Sequence, residues 1–156
     1  MPRREYVLDI AAPLEKVWAF YDDIHSLPSI TPPTTRITLP DPPEKMYEGV
    51  SFTLLVQPAP FYFPTLLWVT KITRHEPPHL FVDQQVSGPF GAWQHEHRFE
   101  ALDETHTRLY DTVTYTPPFG PLGKIADVLV IRPQLDAMFR YRHKVTRERL
   151  EPPAAT

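Results

Sequence analysis

Two histidines stand two residues apart in the stretch Trp93-Gln94-His95-Glu96-His97-Arg98-Phe99. In an extended strand, residues i and i+2 share a face, with Cα atoms about 6.5–7 Å apart. His95 and His97 therefore point the same way as Trp93 and Phe99, while Gln94, Glu96 and Arg98 form a face suited to solvent. In the following stretch, Asp111 shares a face with Leu109, Val113 and Tyr115. A carboxylate on such a face needs a partner, because an unpaired buried charge is costly. Imidazole and carboxylate groups held together can transfer protons, orient a polar ligand or bind a metal. A His-x-His pair plus one Asp lacks the third sequence-fixed ligand of stronger metal patterns. The expectation is a hydrogen-bonded polar cluster with no metal and no cofactor. His106 falls in a polar turn and is expected to face solvent.

A further charge stands out near the C-terminus. Leu135, Met138, Phe139, Arg142 and Val145 follow i, i+3, i+4, i+7 spacing, which puts Arg142 on the apolar stripe of a helix. Arg140 and Arg147 fall on the opposite side. An inward Arg142 either pairs with Asp111 or holds an anionic ligand group with its planar fork. The aromatic residues Trp68, Trp93, Tyr115 and Phe139 are candidates for the wall of a ligand cavity, with plain core packing as the alternative.

The elements that must position these groups are punctuated by proline. The 156 residues include 20 prolines against 5 glycines, and five Pro-Pro pairs begin at Pro32, Pro42, Pro77, Pro117 and Pro152. Proline lacks a donor and restricts its predecessor, so the pairs mark element boundaries. Between them, Arg4–Ile10 alternates as a strand, and Pro13 opens a helix with the stripe Val17, Trp18, Phe20 and Tyr21. A second short helix precedes Pro28. Strands follow at Thr35–Leu39, Val50–Val56, Leu66–Arg74, Leu80–Val86, Ala92–Ala101 and Thr107–Tyr115. Their short connections predict antiparallel pairing. Apolar residues then recur at three and four, from Leu122, Ile125, Val128 and Leu129 to Leu135, Phe139 and Val145. This spacing predicts one long helix from about Pro121 to Leu150, kinked or split at Pro133, with its apolar stripe buried. Glu151–Thr156 reads as a frayed tail.

This order predicts a single α+β domain over residues 1–156, in which a curved antiparallel sheet of about seven strands wraps a long C-terminal helix. The hollow between them is a natural ligand site. The composition fits that reading, with 42% hydrophobic and 22% charged residues. No cysteine is present, which removes disulfides, thiolate metal sites and cysteine nucleophiles. A net charge of −3 gives no field favouring nucleic acid, and the basic run Arg140, Arg142, Lys144, Arg147 and Arg149 divides among helix faces. No apolar run approaches a membrane span, so no stable membrane insertion is expected, and the N-terminus reads as that of a cytoplasmic protein. Four serines lack a nucleophile context, and neither a phosphate-binding loop nor a dinucleotide fingerprint occurs.

Several stretches together resemble the START and birch-pollen-allergen-like superfamily, often written SRPBCC, in an uncharacterised bacterial subgroup. They are Phe81-Val82-Asp83-Gln84-Gln85, Gly88-Pro89-Phe90, Trp93–Phe99, Asp111–Tyr115, Pro118–Gly123 and Phe139-Arg140-Tyr141-Arg142. The resemblance spans Tyr6 to Leu150 and implies the helix-grip fold around a hydrophobic cavity. It implies binding or carriage of a small hydrophobic or amphipathic ligand, lipid-, quinone- or polyketide-like. Trp68, Trp93, His95, His97, Asp111, Tyr115, Phe139 and Arg142 would contact that ligand. The alternative within the superfamily is a polyketide cyclase or dehydratase-type enzyme, with His95 or His97 as general acid/base and Asp111 beside them. The iron ligands of the oxygenase branch have no counterpart here. The stretch Phe61-Tyr62-Phe63, set between prolines, forms an entrance flap, a membrane-touching tip or part of the core.

Overall fold

Each strand ends where the sequence turns to Pro, Gly or a polar run, and the intervening stretches pair into one sheet. The computed structural model describes residues 1–153; the expected tail lies outside the described residues from residue 154 onward. Strand β1 (Arg3–Ile10) leads into helix α1 (Leu14–Asp22) and a 3₁₀ turn (Ile24–Ile30). Then come β2 (Thr35–Thr38), β3 (Ser51–Pro58), β4 (Leu66–Glu76), β5 (Leu80–Ser87), β6 (Ala92–Ala101) and β7 (Thr107–Thr116). The seven strands form one antiparallel sheet in the order β1-β7-β6-β5-β4-β3-β2. Register shifts between Val69 and Thr70 and between Ile72 and Arg74 interrupt the β4–β5 ladder. Such irregularities bend a strand and raise its twist, which helps the sheet curl.

The predicted C-terminal helix is present but built in pieces. A 3₁₀ turn (Gly120–Leu122) and a short helix α2 (Gly123–Ala126) run into a π turn (Asp127–Ile131), followed by α3 (Arg132–Leu150). Pro133 lies in the first turn of α3, where a missing N–H costs nothing. The wider turn before it accommodates the break expected at this proline.

Two helical elements cover the inner face of the sheet. Trp18 of α1 packs edge-on against Phe81 and Phe99, with ring centroids 5.8 and 5.3 Å away, and Tyr21 meets Phe99 at 5.6 Å. Toward the opposite end, Trp93, Val113 and Tyr115 pack with Leu135 and Phe139 of α3, joined by Tyr6, Trp68 and Phe90. The Tyr6 and Phe139 rings stack at 4.3 Å, and the Trp68 and Trp93 rings meet edge-on at 5.1 Å. Aromatic side chains thus occupy the space where a cavity wall was expected.

The stripe assigned to α3 is correct: Leu135, Phe139, Arg142 and Val145 are buried, while Arg140 and Arg147 are exposed. The stripe ahead of it is not buried. Leu122, Ile125, Val128 and Leu129 are all more than half exposed, because the segment before α3 has passed beyond the edge of the core.

The candidate polar site and the apolar end

Between the two aromatic clusters, β6 places two imidazoles where apolar side chains would otherwise continue. Trp93, His95, His97 and Phe99 all point inward and are buried. Register sets Asp83 of β5 opposite His95, and Asp111 of β7 opposite His97. The imidazole rings of His95 and His97 lie 3.6 Å apart between centroids, tilted by 33°. A carboxylate can only accept, so a ring nitrogen hydrogen-bonded to one donates. His95 Nε2 donates to Asp111 Oδ1 at 2.8 Å, and His97 Nε2 donates to Asp83 Oδ2 at 2.8 Å. The remaining nitrogens face the other carboxylate: His95 Nδ1 lies 3.7 Å from Asp83 Oδ2, and His97 Nδ1 lies 3.3 Å from Asp111 Oδ1. Each ring therefore spans two carboxylates. His143 of α3 completes the set, donating from Nε2 to Asp111 Oδ2 at 2.8 Å.

Asp111 is fully buried. Burial alone would push its carboxyl up, but hydrogen bonds from His143, His95 and His97 outweigh it and hold the group well below the usual carboxylate range. Asp83 is partly buried; desolvation pushes its carboxyl up, but the hydrogen bond from His97 and the charges of His95 and His97 outweigh it and bring it below that range. The two imidazoles are driven apart. Desolvation and the neighbouring His97 lower His95. His97 is desolvated as well, but the nearby carboxylates of Asp111 and Asp83 raise it.

The structure thus brings His95, His97 and Asp111 together, as the sequence predicts, and places Trp93, Trp68, Tyr115 and Phe139 in the adjoining aromatic cluster. Arg142 points inward, only 6% exposed, with its guanidinium carbon 5.3 Å from the centre of the Phe139 ring. It does not pair with Asp111, because both oxygens of that carboxylate are engaged by histidines. Among the described residues Arg142 makes no salt bridge, and its Nε has no hydrogen-bond partner. Its guanidinium stands against the Phe139 ring, so Arg142→Ala is expected to lose packing and cost about 1–2 kcal/mol, net of the relief from removing a buried unpaired charge, while Arg140→Ala stays within about 0.5 kcal/mol. Urea unfolding of the two variants measures the difference, and equal small losses would contradict the inward placement.

Asp83 and His143 are the members that sequence reasoning missed. Asp83 belongs to a strand whose opening, Leu80-Phe81-Val82, is buried throughout, which hides the alternation. His143 follows Phe139 by four residues, the one spacing signal that could have found it. His106 is exposed and bonded to Asp103, as expected.

A second buried carboxylate lies in the π turn. Asp127 accepts from the Tyr115 hydroxyl and, at 2.7 Å, from Arg132 Nε. Burial and then the Asp127 hydrogen bond push the Tyr115 phenol far up. This contact ties the segment before α3 to the end of β7.

That end of the molecule is apolar on its outside. Phe119, Leu122, Ile125, Ala126, Leu129 and Val130 line an open groove of about 400 Å³. The pairing register puts the β3–β4 and β5–β6 connections at the same end. There Phe61 and Phe63 are 85% and 77% exposed, which excludes the core reading for these two rings. Tyr62 between them lies under Arg36, at 4.0 Å. Among the described residues no helix is long and apolar enough to cross a membrane.

A curled antiparallel sheet gripping a long C-terminal helix is the helix-grip architecture. The chain belongs to the family described as polyketide cyclase/dehydrase and lipid transport, whose model matches residues 10–139. Solved structures share the fold at low identity. A protein from Chromobacterium violaceum superposes with a TM-score of 0.75 at 12% identity, covering 97% of this chain and 99% of its own. An aromatase/cyclase from Streptomyces sp. R1128 gives 0.66 at 16% identity, with 99% of both chains covered. Norcoclaurine synthase from Thalictrum flavum, in complex with dopamine and hydroxybenzaldehyde, gives 0.63 at 18% identity, covering 97% of this chain and 89% of the synthase. No curated protein sequence matches.

Proposed function

We propose that the protein binds and carries a small hydrophobic or amphipathic ligand, lipid-, quinone- or polyketide-like, taken in at its apolar end. The observation that carries this reading is the groove lined by Phe119, Leu122, Ile125, Ala126, Leu129 and Val130. Its volume of about 400 Å³ falls in the range of small-molecule sites, about 300–1,000 Å³. A contiguous exposed apolar surface of this kind marks a binding site more often than an idle face. Tyr115 of the aromatic cluster, which also holds Trp68, Trp93 and Phe139, is tied to this segment through Asp127. His95, His97, Asp111 and Arg142 are buried inside the sheet and would orient the polar end of a ligand that passed from the groove into the interior. The family description, which includes lipid transport, supports the same reading.

A fluorescent fatty acid and a naphthoquinone, titrated separately, test it. Saturable binding of at least one is expected, with quenching of tryptophan emission if the ligand reaches the cluster that holds Trp68 and Trp93. Leu122→Asp and Ile125→Asp are surface changes that preserve folding and should weaken binding about tenfold or more, since each sets a charge against an apolar ligand. No binding of either probe, or binding indifferent to both substitutions, would refute the reading. Turnover of a polyketide-like substrate that is lost in His95→Ala with binding intact would instead favour a cyclase-type enzyme. The paired imidazoles and carboxylates are the observation that keeps that second reading in play.

A further inference from the structure

Asp83, His95 and His97 each offer one ligand atom, and these atoms lie within 4.8 Å of one another. We propose that Asp83 Oδ2, His95 Nδ1 and His97 Nε2 are three ligands of a divalent transition-metal site, with Asp111 as the shared acceptor behind both imidazoles. The hydrogen-bond accounting points to it. Asp111 Oδ1 stands 2.8 Å from His95 Nε2 and 3.3 Å from His97 Nδ1. His95 Nε2 donates to Asp111 Oδ1, while His97 donates from Nε2 to Asp83 Oδ2 and would carry its proton on Nδ1, toward Asp111, once a metal took that place. The lone pairs of His95 Nδ1 and His97 Nε2 are then left on the opposite side, where both face Asp83 Oδ2.

Three electron-rich atoms converging in a buried place call for a cation. Ligand-binding histidines characteristically pass their other N–H to a carboxylate, which orients the ring and raises its basicity. Here one carboxylate serves two rings, and His143 holds it from the far side at 2.8 Å. A second, independent observation agrees. Among the described residues, His97 Nδ1 is buried and has no hydrogen-bond partner. Drawing His97 Nε2 onto a metal would let that ring turn its Nδ1–H onto Asp111.

The dimensions fit. Tetrahedral zinc with bonds near 2.0–2.1 Å separates its ligands by roughly 3.3 Å. The two separations from Asp83 Oδ2, 2.8 Å to His97 Nε2 and 3.7 Å to His95 Nδ1, bracket that value. Two imidazoles and a carboxylate select zinc-like borderline ions over calcium or magnesium, which prefer all-oxygen sites. The Asp83 side chain is 21% exposed, so an ion has a way in and a fourth position can hold water. The sequence led to a metal-free expectation because it offered only two imidazoles and an aspartate, Asp111, that turns out to stand behind them. The inference stands on the network alone and does not depend on apolar ligand binding.

The test uses the full chain, stripped with a chelator and titrated with Zn²⁺ by calorimetry and with Co²⁺ by visible absorption. One equivalent of each is expected, with ligand-field bands for Co²⁺ and a raised thermal midpoint with Zn²⁺. Asp83→Asn, at a partly exposed position, keeps the fold and should weaken binding by more than the 10–100-fold typical of outer-shell changes. His97→Gln should do the same, and neither variant should show the Zn²⁺-dependent rise in thermal midpoint. Absence of binding up to millimolar metal would overturn the proposal. So would undiminished binding in both variants, which would place the metal on surface histidines.

Discussion

Asp111→Ala is expected to remove about 3–5 kcal/mol of stability, the usual result of breaking a buried charge network from one side. The side chain is fully buried and accepts from His95 and His143 at 2.8 Å each, with His97 alongside. Its loss leaves three imidazoles without their common acceptor, in a place water does not reach. Against a total stability of about 5–15 kcal/mol for a domain, that is a large fraction. Asp111→Asn keeps the volume and one accepting oxygen but turns an amide N–H₂ toward a histidine donor, so a smaller loss follows. The measurement is urea unfolding, where the midpoint should fall with little change in slope. A loss under about 1 kcal/mol for Asp111→Ala would mean that the network does not hold the sheet to α3.

Asp127→Ala is the second large effect. The carboxylate is buried in the π turn and accepts from Tyr115 and Arg132. Hydrogen bonds to a charged group contribute about 1.5–3 kcal/mol, and the orphaned Tyr115 hydroxyl adds a desolvation penalty of about 1–3 kcal/mol. An overall loss of about 2.5–6 kcal/mol is expected. Tyr115→Phe removes the orphan, so the double variant Tyr115→Phe with Asp127→Ala should cost less than the sum of the two single changes. The damage should also be local. Residues 119–131 should gain amide exchange and protease sensitivity before the sheet does, because Asp127 is the polar tie between this apolar segment and β7. Uniform loosening of the whole chain would argue that the segment has no separate stability.

Much of the frame was legible because it depends on local periodicity. Alternation over Trp93–Phe99 and Leu109–Tyr115 placed His95, His97 and Asp111 on one surface, and the 3–4 spacing from Leu135 to Val145 turned Arg142 inward. What escaped depends on pairing between elements. Asp83 joins the site only through its register with His95, and no pattern within its own strand announces that. His143 is masked by its neighbours Arg140, Lys144 and Arg147, which read as solvated charge. The same limit explains Leu122, Ile125, Val128 and Leu129: spacing tells which residues share a side of a helix, but not whether anything covers that side. Pro133 marked where the helix would be disturbed, and the π turn is the form the disturbance takes.

The strand order carries a consequence for assembly. Strands β2 to β7 follow one another as a meander, so each pairing closes a short loop. The exception is β1, whose Arg3 sits opposite Thr114. Closing so long a loop demands entropy that neighbouring hairpins do not, and distant contacts of this kind slow folding. The meander can zip early, while β1 and α3 must dock across most of the chain to seal the inner face. His143 reaches Asp111 only at that last step. The imidazole–carboxylate network would then contribute little to the barrier for folding and much to the barrier against unfolding. Damage to it should shorten the life of the native state rather than delay its formation.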